Sequence, residues 1–423
     1  MVKTKYKQSH AWFVWGLAAT FFFADYLARV APAVMHRDLQ IAFGMNEVGF
    51  TTLTAFFYIP YIAMQLPVGL MVDRINIRYL LTVMSLITAL GCYIFALSHG
   101  LATASFARLL IGFSAAFAFV SALRLATSWF PPAKLGLLAG LTQALGMLGA
   151  CAGQAPLSFL VTSVGWRQSM SIVSIIFIVL AALLFLYVQD SPGVVTKKLK
   201  RNTETSLPLW KSLQSVLSTR QVWLNALYAG FLYAPTTVIG ESMGPAYLAY
   251  GRGFTVHYAA FAVGLIFIGW VVGGPLFGYI SDKVGRRKPL MVFSGLCGAV
   301  LTSLFVFYPT LSPWFSCLIF FFYGVTNSGV AVAYAVSTEL VGRTVIGTAL
   351  AFTNMLSIFI GAGLQPLVGY LVDHHAGVRG YHVELLQLSD FQAGLWLLPI
   401  FSLMACLTAL SIKETHCSRL KGD

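Results

Sequence analysis

Residues 278–287 read GYISDKVGRR, and residues 69–78 read GLMVDRINIR. Each stretch closes one long apolar run and opens another. The two aspartates, Asp73 and Asp282, stand 209 residues apart in a chain of 423. Pro156 in GQAPL and Pro366 in GLQPL repeat at nearly the same interval, 210 residues. A charged turn and a proline copied at one period, half the chain length, describe a molecule made of two similar halves. Parallel repeats of this kind are a feature of transport proteins.

The material between these turns fixes the fold class. The chain is 58% hydrophobic and only 10% charged, too little charge to cover a soluble protein of this size. Its apolar runs are long enough, as helices, to cross roughly 30 Å of hydrocarbon. A membrane-spanning barrel would instead alternate in segments of roughly ten residues. The reading is an all-α integral membrane protein with twelve transmembrane helices. The spans fall at 11–35, 47–71, 79–98, 103–127, 136–160, 168–188, 221–249, 258–280, 289–308, 314–338, 345–372 and 391–412. Six precede and six follow the polar, basic stretch 189–220. The predicted domains are a six-helix bundle at 1–188, a linker at 189–220 and a second bundle at 221–423. Within the linker, Leu209–Leu217 predicts a helix lying on the membrane surface.

The net charge of +13 raises nucleic acid as a partner, and its distribution argues against one. With the N-terminus inside, 20 of the 27 lysines and arginines fall in cytoplasmic segments, and four, Arg37, Arg167, Arg252 and Arg379, fall in outer loops. This bias predicts a multi-pass plasma-membrane protein with both termini in the cytoplasm. The first apolar run is too long for a cleaved leader and carries charge, so it is read as retained. No Asn-x-Ser/Thr acceptor occurs, in keeping with a bacterial inner membrane. Five of the six cysteines lie in spans and none forms a CxxC pair, which reads as buried thiols. Nothing calls for a metal or cofactor, and a monomer is the simplest assembly.

The quoted turns resemble motif A of the major facilitator superfamily, Gly-x-x-x-Asp-Arg/Lys-x-Gly-Arg/Lys-Arg/Lys. The second copy is complete: Gly278, Asp282, Lys283, Gly285, Arg286 and Arg287. The first holds Gly69, Asp73, Arg74 and Arg78, with Asn76 where the family has glycine. Asparagine tolerates a left-handed backbone better than most residues, so the same turn is expected there. Arg108, Gly112, Ala115 and Ala116 in span four are similar to the family's motif B. The segments QLPVGLMVDR, SWFPP, GQAPL and GWR resemble the branch of organic-anion and sugar-phosphate importers and related dipeptide carriers. The resemblance implies alternating access, a cytoplasmic gate at the two charged turns and a role for Arg108 in proton coupling. The Gly-Pro pair of the exporter motif is missing from LGMLGACAGQAP in span five, which favours uptake over antiport.

Charged groups within spans are expensive and mark pathways. Asp25 and Arg29, four residues apart, share a face of the first span. They form either a neutralising pair or part of a solute route. Arg108 and Arg124, 16 residues apart in span four, point to nearly opposite faces of a straight helix. At most one of them can therefore aim squarely at a central cavity, unless the helix bends, and Arg124 can instead reach the inner headgroups. Glu241 lies in GESMGPAY, where Gly240, Gly244 and Pro245 predict a broken or kinked helix. Asp25, Glu241 and Glu339 are the candidate proton carriers. Polar residues complete the candidate pathway: Tyr58, Tyr61 and Gln65 on span two, Tyr233 on span seven, Tyr323, Asn327 and Tyr334 on span ten, and Asn354 with Gln365 on span eleven. Gly149 with Gly153, Gly269 with Gly273, and Gly274 with Gly278 predict close helix packing.

These residues favour a secondary transporter of a small solute bearing a carboxylate or phosphate, with proton symport as the energy source. Alternatives are a carrier of amino acids or short peptides, a uniporter or exporter of the same fold, and a sensor that binds without transport. A membrane enzyme is disfavoured, since no HExxH occurs.

Overall fold

The computed structural model describes residues 8–130, 135–190, 209–342, 345–377 and 385–418. Among them the secondary structure is helical throughout, without strands. In chain order the helices are α1 (Gln8–Val30), α2 (His36–Phe43), α3 (Glu47–Ala55), α4 (Tyr58–Arg74), α5 (Ile77–Leu97), α6 (Leu101–Trp129), α7 (Leu135–Ala152), α8 (Ala155–Val164), α9 (Trp166–Tyr187) and α10 (Leu209–Leu217). They continue with α11 (Arg220–Val238), α12 (Gly244–Ala246), α13 (Val256–Val284), α14 (Lys288–Phe307), α15 (Pro313–Asn327), α16 (Val330–Glu339), α17 (Ile346–Ala376), α18 (Leu388–Leu395) and α19 (Leu397–Ser411). The helix predicted in the linker is α10, with the expected bounds.

Eleven helical stretches among the described residues are long and apolar enough to cross a membrane. The first runs from Ser9 to Phe43, beyond the predicted end at residue 35, through a 3-10 turn at Ala31–Met35. The expected second span is divided instead into α3, nine residues, and α4, 17 residues, neither long enough alone. Large apolar side chains such as Phe159, Ile175, Leu186, Leu318 and Phe359 point outward, each more than half exposed. That outer surface suits lipid and not water.

The chain forms two compact units. The first comprises residues 1–43 and 53–199, and the second residues 44–52 and 200–423. In the first unit α5 packs on α9 and α6, and α1 packs on α7 and α6. Gly149 and Gly153 let α7 approach α1: a Cβ on Gly149 would stand 2.0 Å from the Phe23 carbonyl oxygen. In the second unit α11 packs on α17 and α19, α13 on α15, and α14 on α19. Gly269 and Gly273 play the same part between α13 and α15. The third predicted pair does not. A Cβ on Gly274 or Gly278 would meet nothing within 4 Å, so these glycines face open space.

Candidate functional site

In the first unit the site begins at the end of α1. Arg29 lies in its last turn and is 2% exposed. Its guanidinium carbon lies 5.0 Å from the ring centroids of Tyr26 and Tyr58, 5.5 Å from Phe57 and 5.9 Å from Tyr61. Four π faces around one cation supply electrostatic attraction in place of water. Tyr58 and Tyr61, predicted to share a face of span two, both reach Arg29. Gln65, one turn further on, bonds back to the Tyr61 carbonyl at 3.4 Å.

Arg108, on α6, is also 2% exposed and lies 5.0 Å from the Phe57 ring. Its Nη1 donates to the Ala28 carbonyl at 3.1 Å, and Nη2 donates to the carbonyls of Arg29 at 3.0 Å and Thr54 at 3.5 Å. Local sequence explains why those oxygens are available. Pro32 has no N–H to return to Ala28 one turn earlier. Thr54 lies at the frayed end of α3, where Phe57 N reaches its carbonyl at only 3.4 Å. The arginine thus satisfies backbone at two helix interruptions, a requirement in a bilayer. Gly112, one turn along α6, permits the approach: a Cβ there would stand 1.8 Å from the Phe57 carbonyl oxygen.

Asp25, one turn before Arg29, is 2% exposed, and its Oδ1 has no hydrogen-bond partner among the described residues. Arg124 is partly exposed and donates to Ser128 Oγ on its own helix. Arg108 and Arg124 therefore do have different surroundings, and Arg108 is the buried one.

In the second unit the predicted break in span seven is present. The chain widens into π-helical turns at Ile239–Met243 and Tyr247–Gly251, on either side of α12. Such turns concentrate at functional sites. Glu241 sits in the first of them, 1% exposed, and accepts a hydrogen bond from Tyr233 Oη at 2.8 Å. Tyr323 Oη pairs with Thr236 Oγ1 at 3.1 Å. Tyr334 donates to Asn354 Oδ1 at 2.8 Å, which joins two residues predicted on separate spans. Gln365 donates to the Thr237 carbonyl at 2.8 Å. Asn327 is fully buried at the end of α15, and both atoms of its amide lack partners among the described residues.

The second charged turn is a dense network. Gly285 adopts a left-handed conformation, φ 68°, and ends α13 by donating to the Ser281 carbonyl at 3.0 Å, as a C-terminal glycine does. Arg287 bonds Asp282 at 2.6 Å and Ser281 Oγ at 2.6 Å, and reaches Glu339 Oε1 through Nη2 at 2.8 Å and Nε at 3.1 Å. Burial alone would lower the Arg287 pKa, but the Glu339 and Asp282 carboxylates outweigh it and the net shift is upward. Glu339 is thereby committed to an ion pair. Its second oxygen accepts from Thr415, a residue that sequence reading did not single out. Glu414 accepts from the first amides of α14, Arg287 N at 2.8 Å and Lys288 N at 3.1 Å. Burial acts to raise the Glu414 pKa, and its bonds from backbone N–H groups more than offset this, so the shift is downward. Lys283 and Arg286 are exposed.

The first charged turn is built differently. Gly69, Asp73 and Arg74 belong to α4, but their side chains lie outside the described residues. Asn76 does not take the left-handed conformation expected of it: φ is −62° and ψ 122°, and Ile75 before it is extended too. The chain leaves α4 and enters α5 without reversing hand. Asp190 closes the turn from outside, accepting from Ile77 N at 3.2 Å and Arg78 N at 3.4 Å. Arg78 donates through Nε to the Phe185 carbonyl. In both units, then, a carboxylate beyond the last long helix receives the first amides of the helix after the charged turn. That parallel escaped sequence reading because Asp190 and Glu414 are 224 residues apart, off the period of the repeat.

Helical architecture, buried ionic groups and paired charged turns define a membrane transport protein. The chain belongs to the major facilitator superfamily: the model of that family, described as Major Facilitator Superfamily, matches residues 14–366. Among similar proteins is a probable sulfoacetate transporter of Cupriavidus necator, 24% identical over 396 residues, which cover 88% of this chain and 89% of that one. A hexuronate transporter of Bacillus subtilis is 23% identical over 369 residues, covering 84% and 86%. Among solved structures, a bacterial homolog of the human lysosomal transporter Spinster, in an inward-facing and occupied conformation, superposes with a TM-score of 0.78 at 16% identity, over 95% of this chain and 96% of that one. The protein is a multi-pass membrane transporter with the major facilitator fold, not an enzyme.

Proposed function

We propose that the protein imports a small solute bearing a carboxylate or phosphate by alternating access, coupled to protons. The observation that carries this reading is the Arg29 guanidinium, buried inside four aromatic rings. An anionic group arriving there gains a charge-assisted, bidentate partner in a dry setting. Relatives named as sulfoacetate and hexuronate transporters support an acid as the solute. Asp25 is assigned to the coupling proton. It lies one turn from Arg29, and protonation discharges a buried carboxyl whose Oδ1 has no hydrogen-bond partner among the described residues. Tyr58, Tyr61, Gln65, Tyr323, Asn327, Tyr334 and Asn354 are assigned to the polar lining, and the two charged turns to a cytoplasmic gate. The bundles at 1–188 and 221–423 are the moving parts, in a monomer of the bacterial inner membrane with both termini inside.

Uptake of labelled sulfoacetate and hexuronate into proteoliposomes tests this reading. An inward proton gradient is expected to raise accumulation several-fold. Arg29→Gln is expected to weaken solute-induced thermal stabilisation at least tenfold in apparent affinity. Asp25→Asn is expected to retain exchange while losing uphill accumulation. Uptake that ignores collapse of the gradient refutes symport, and undiminished binding by Arg29→Gln refutes the anion site.

A further inference from the structure

The second unit has an open cavity of about 590 Å³ beside its charged turn. Arg286, Lys288, Pro289 and Val292 line it from the turn and the start of α14, and Glu414 and His416 from the chain beyond α19. Two candidate spans end here, Lys288–Phe307 and Leu388–Ser411, so the cavity stands at headgroup level. Its charges are not equally engaged. Glu414 is taken up by backbone, accepting from Arg287 N, Lys288 N, Thr415 N and His416 N. Lys288 spends one of its three donors on the Leu410 carbonyl, at 2.6 Å, a bond that crosses from α14 to α19. Arg286 is exposed, and its guanidinium has no hydrogen-bond or ion-pair partner among the described residues. Apolar stripes continue from the cavity. Phe293, Leu296 and Val300 follow Val292 along the outer face of α14, and Leu410, Leu407 and Leu403 run along α19, which packs on α14. These six side chains are 46–56% exposed. From Pro289 to Val300 is about 16 Å of helix, one leaflet's share of roughly 30 Å of hydrocarbon.

We infer that this cavity binds the headgroup of an anionic phospholipid, whose acyl chains lie on the two stripes. A phosphodiester offers oxygens to a bidentate guanidinium and an ammonium at once. Basic pockets between helices at the membrane surface take such headgroups. Charge selects among lipids. Arg286 and Lys288 against Glu414 leave one positive charge, which a singly anionic headgroup cancels. The cation of a zwitterionic headgroup would meet Arg286 or Lys288, while Glu414 is already held by backbone. The stripes select a lipid over free phosphate. The site lies wholly within the second unit and does not depend on the reading of Arg29.

The test reads thermal stabilisation of the detergent-purified protein by dioleoylphosphatidylglycerol, dioleoylphosphatidylcholine and inorganic phosphate. Phosphatidylglycerol is expected to raise the midpoint by several degrees, phosphatidylcholine by less than half as much, and phosphate at the same concentration not at all. Arg286→Gln, which breaks no bond among the described residues, is expected to weaken the phosphatidylglycerol effect at least tenfold in apparent affinity. Lys288→Gln should weaken it too, measured against that variant's own lipid-free midpoint. Lys283→Gln removes a neighbouring cation that does not line the cavity, and should leave the effect unchanged. Equal stabilisation by the two lipids overturns the inference. So does phosphate matching phosphatidylglycerol, which would mark a site for a free anion. Equal losses in the Lys283 and Arg286 variants overturn it as well, since a diffuse basic surface would then account for the binding.

Discussion

A single arginine, Arg108, shows what a residue buried in hydrocarbon can be for. It supplies donors to three carbonyls at two helix interruptions. An orphaned buried polar group costs about 1–3 kcal/mol. Arg108→Gln is therefore expected to lower the thermal midpoint in detergent by several degrees. Arg108→Lys should lower it less, since the ammonium keeps the charge but cannot span all three oxygens. A midpoint unchanged in both variants would show that water serves those carbonyls instead. The positions of Arg29, Tyr58 and Tyr61 were legible in the sequence, because spacing along one helix is read directly. Their convergence was not, because nothing in α1 announces which helix lies beside it. Pro32 was visible too, but its link to Arg108, 76 residues away, exists only in the fold.

At the scale of the element, breaks are legible where glycine or proline marks them. The chain turns π-helical at Ile239–Met243 and Tyr247–Gly251, where Gly240, Gly244 and Pro245 mark a break, whereas the interruption at Gly153–Gln154 ahead of Pro156 is not expected, span five being read as continuous. The break between α3 and α4 falls at Phe56–Phe57, two residues that carry no such mark, so hydropathy merged the pieces. The charged turns yield a further prediction. Family pattern suggests that glycine at position 76 would restore a proper turn. The observed backbone, φ −62° and ψ 122°, says otherwise, since any residue adopts it. Asn76→Gly is expected to destabilise by about 0.5–1 kcal/mol through the freer unfolded chain. Gly285→Ala, at φ 68°, should cost about 1–2 kcal/mol. Equilibrium denaturation of the two variants checks both signs, and a stabilised Asn76→Gly would refute the extended turn.

For the molecule as a whole, composition and charge were the most informative signals. Continuous apolar runs indicated a helical membrane protein, and the repeat and its motifs pointed to the superfamily. The asymmetry of lysine and arginine leads to a topology that labelling can check. In a background without the native cysteines, Ser312→Cys is expected to react with an impermeant maleimide in intact cells. Lys283→Cys should react only after permeabilisation. The reverse pattern would invert the proposed orientation. Whole-chain signals are strong because they average over hundreds of residues, and the site is hard to read because it depends on a handful.

Gly112 brings those scales together. Its missing methyl leaves room for the Phe57 carbonyl, and Phe57 is one of the walls around Arg29. On the proposed reading of Arg29 as the anion site, selectivity for a solute would therefore change without touching any side chain that meets it. Enlarging position 112 by one carbon would push the wall itself, and with it the direction in which the cation looks.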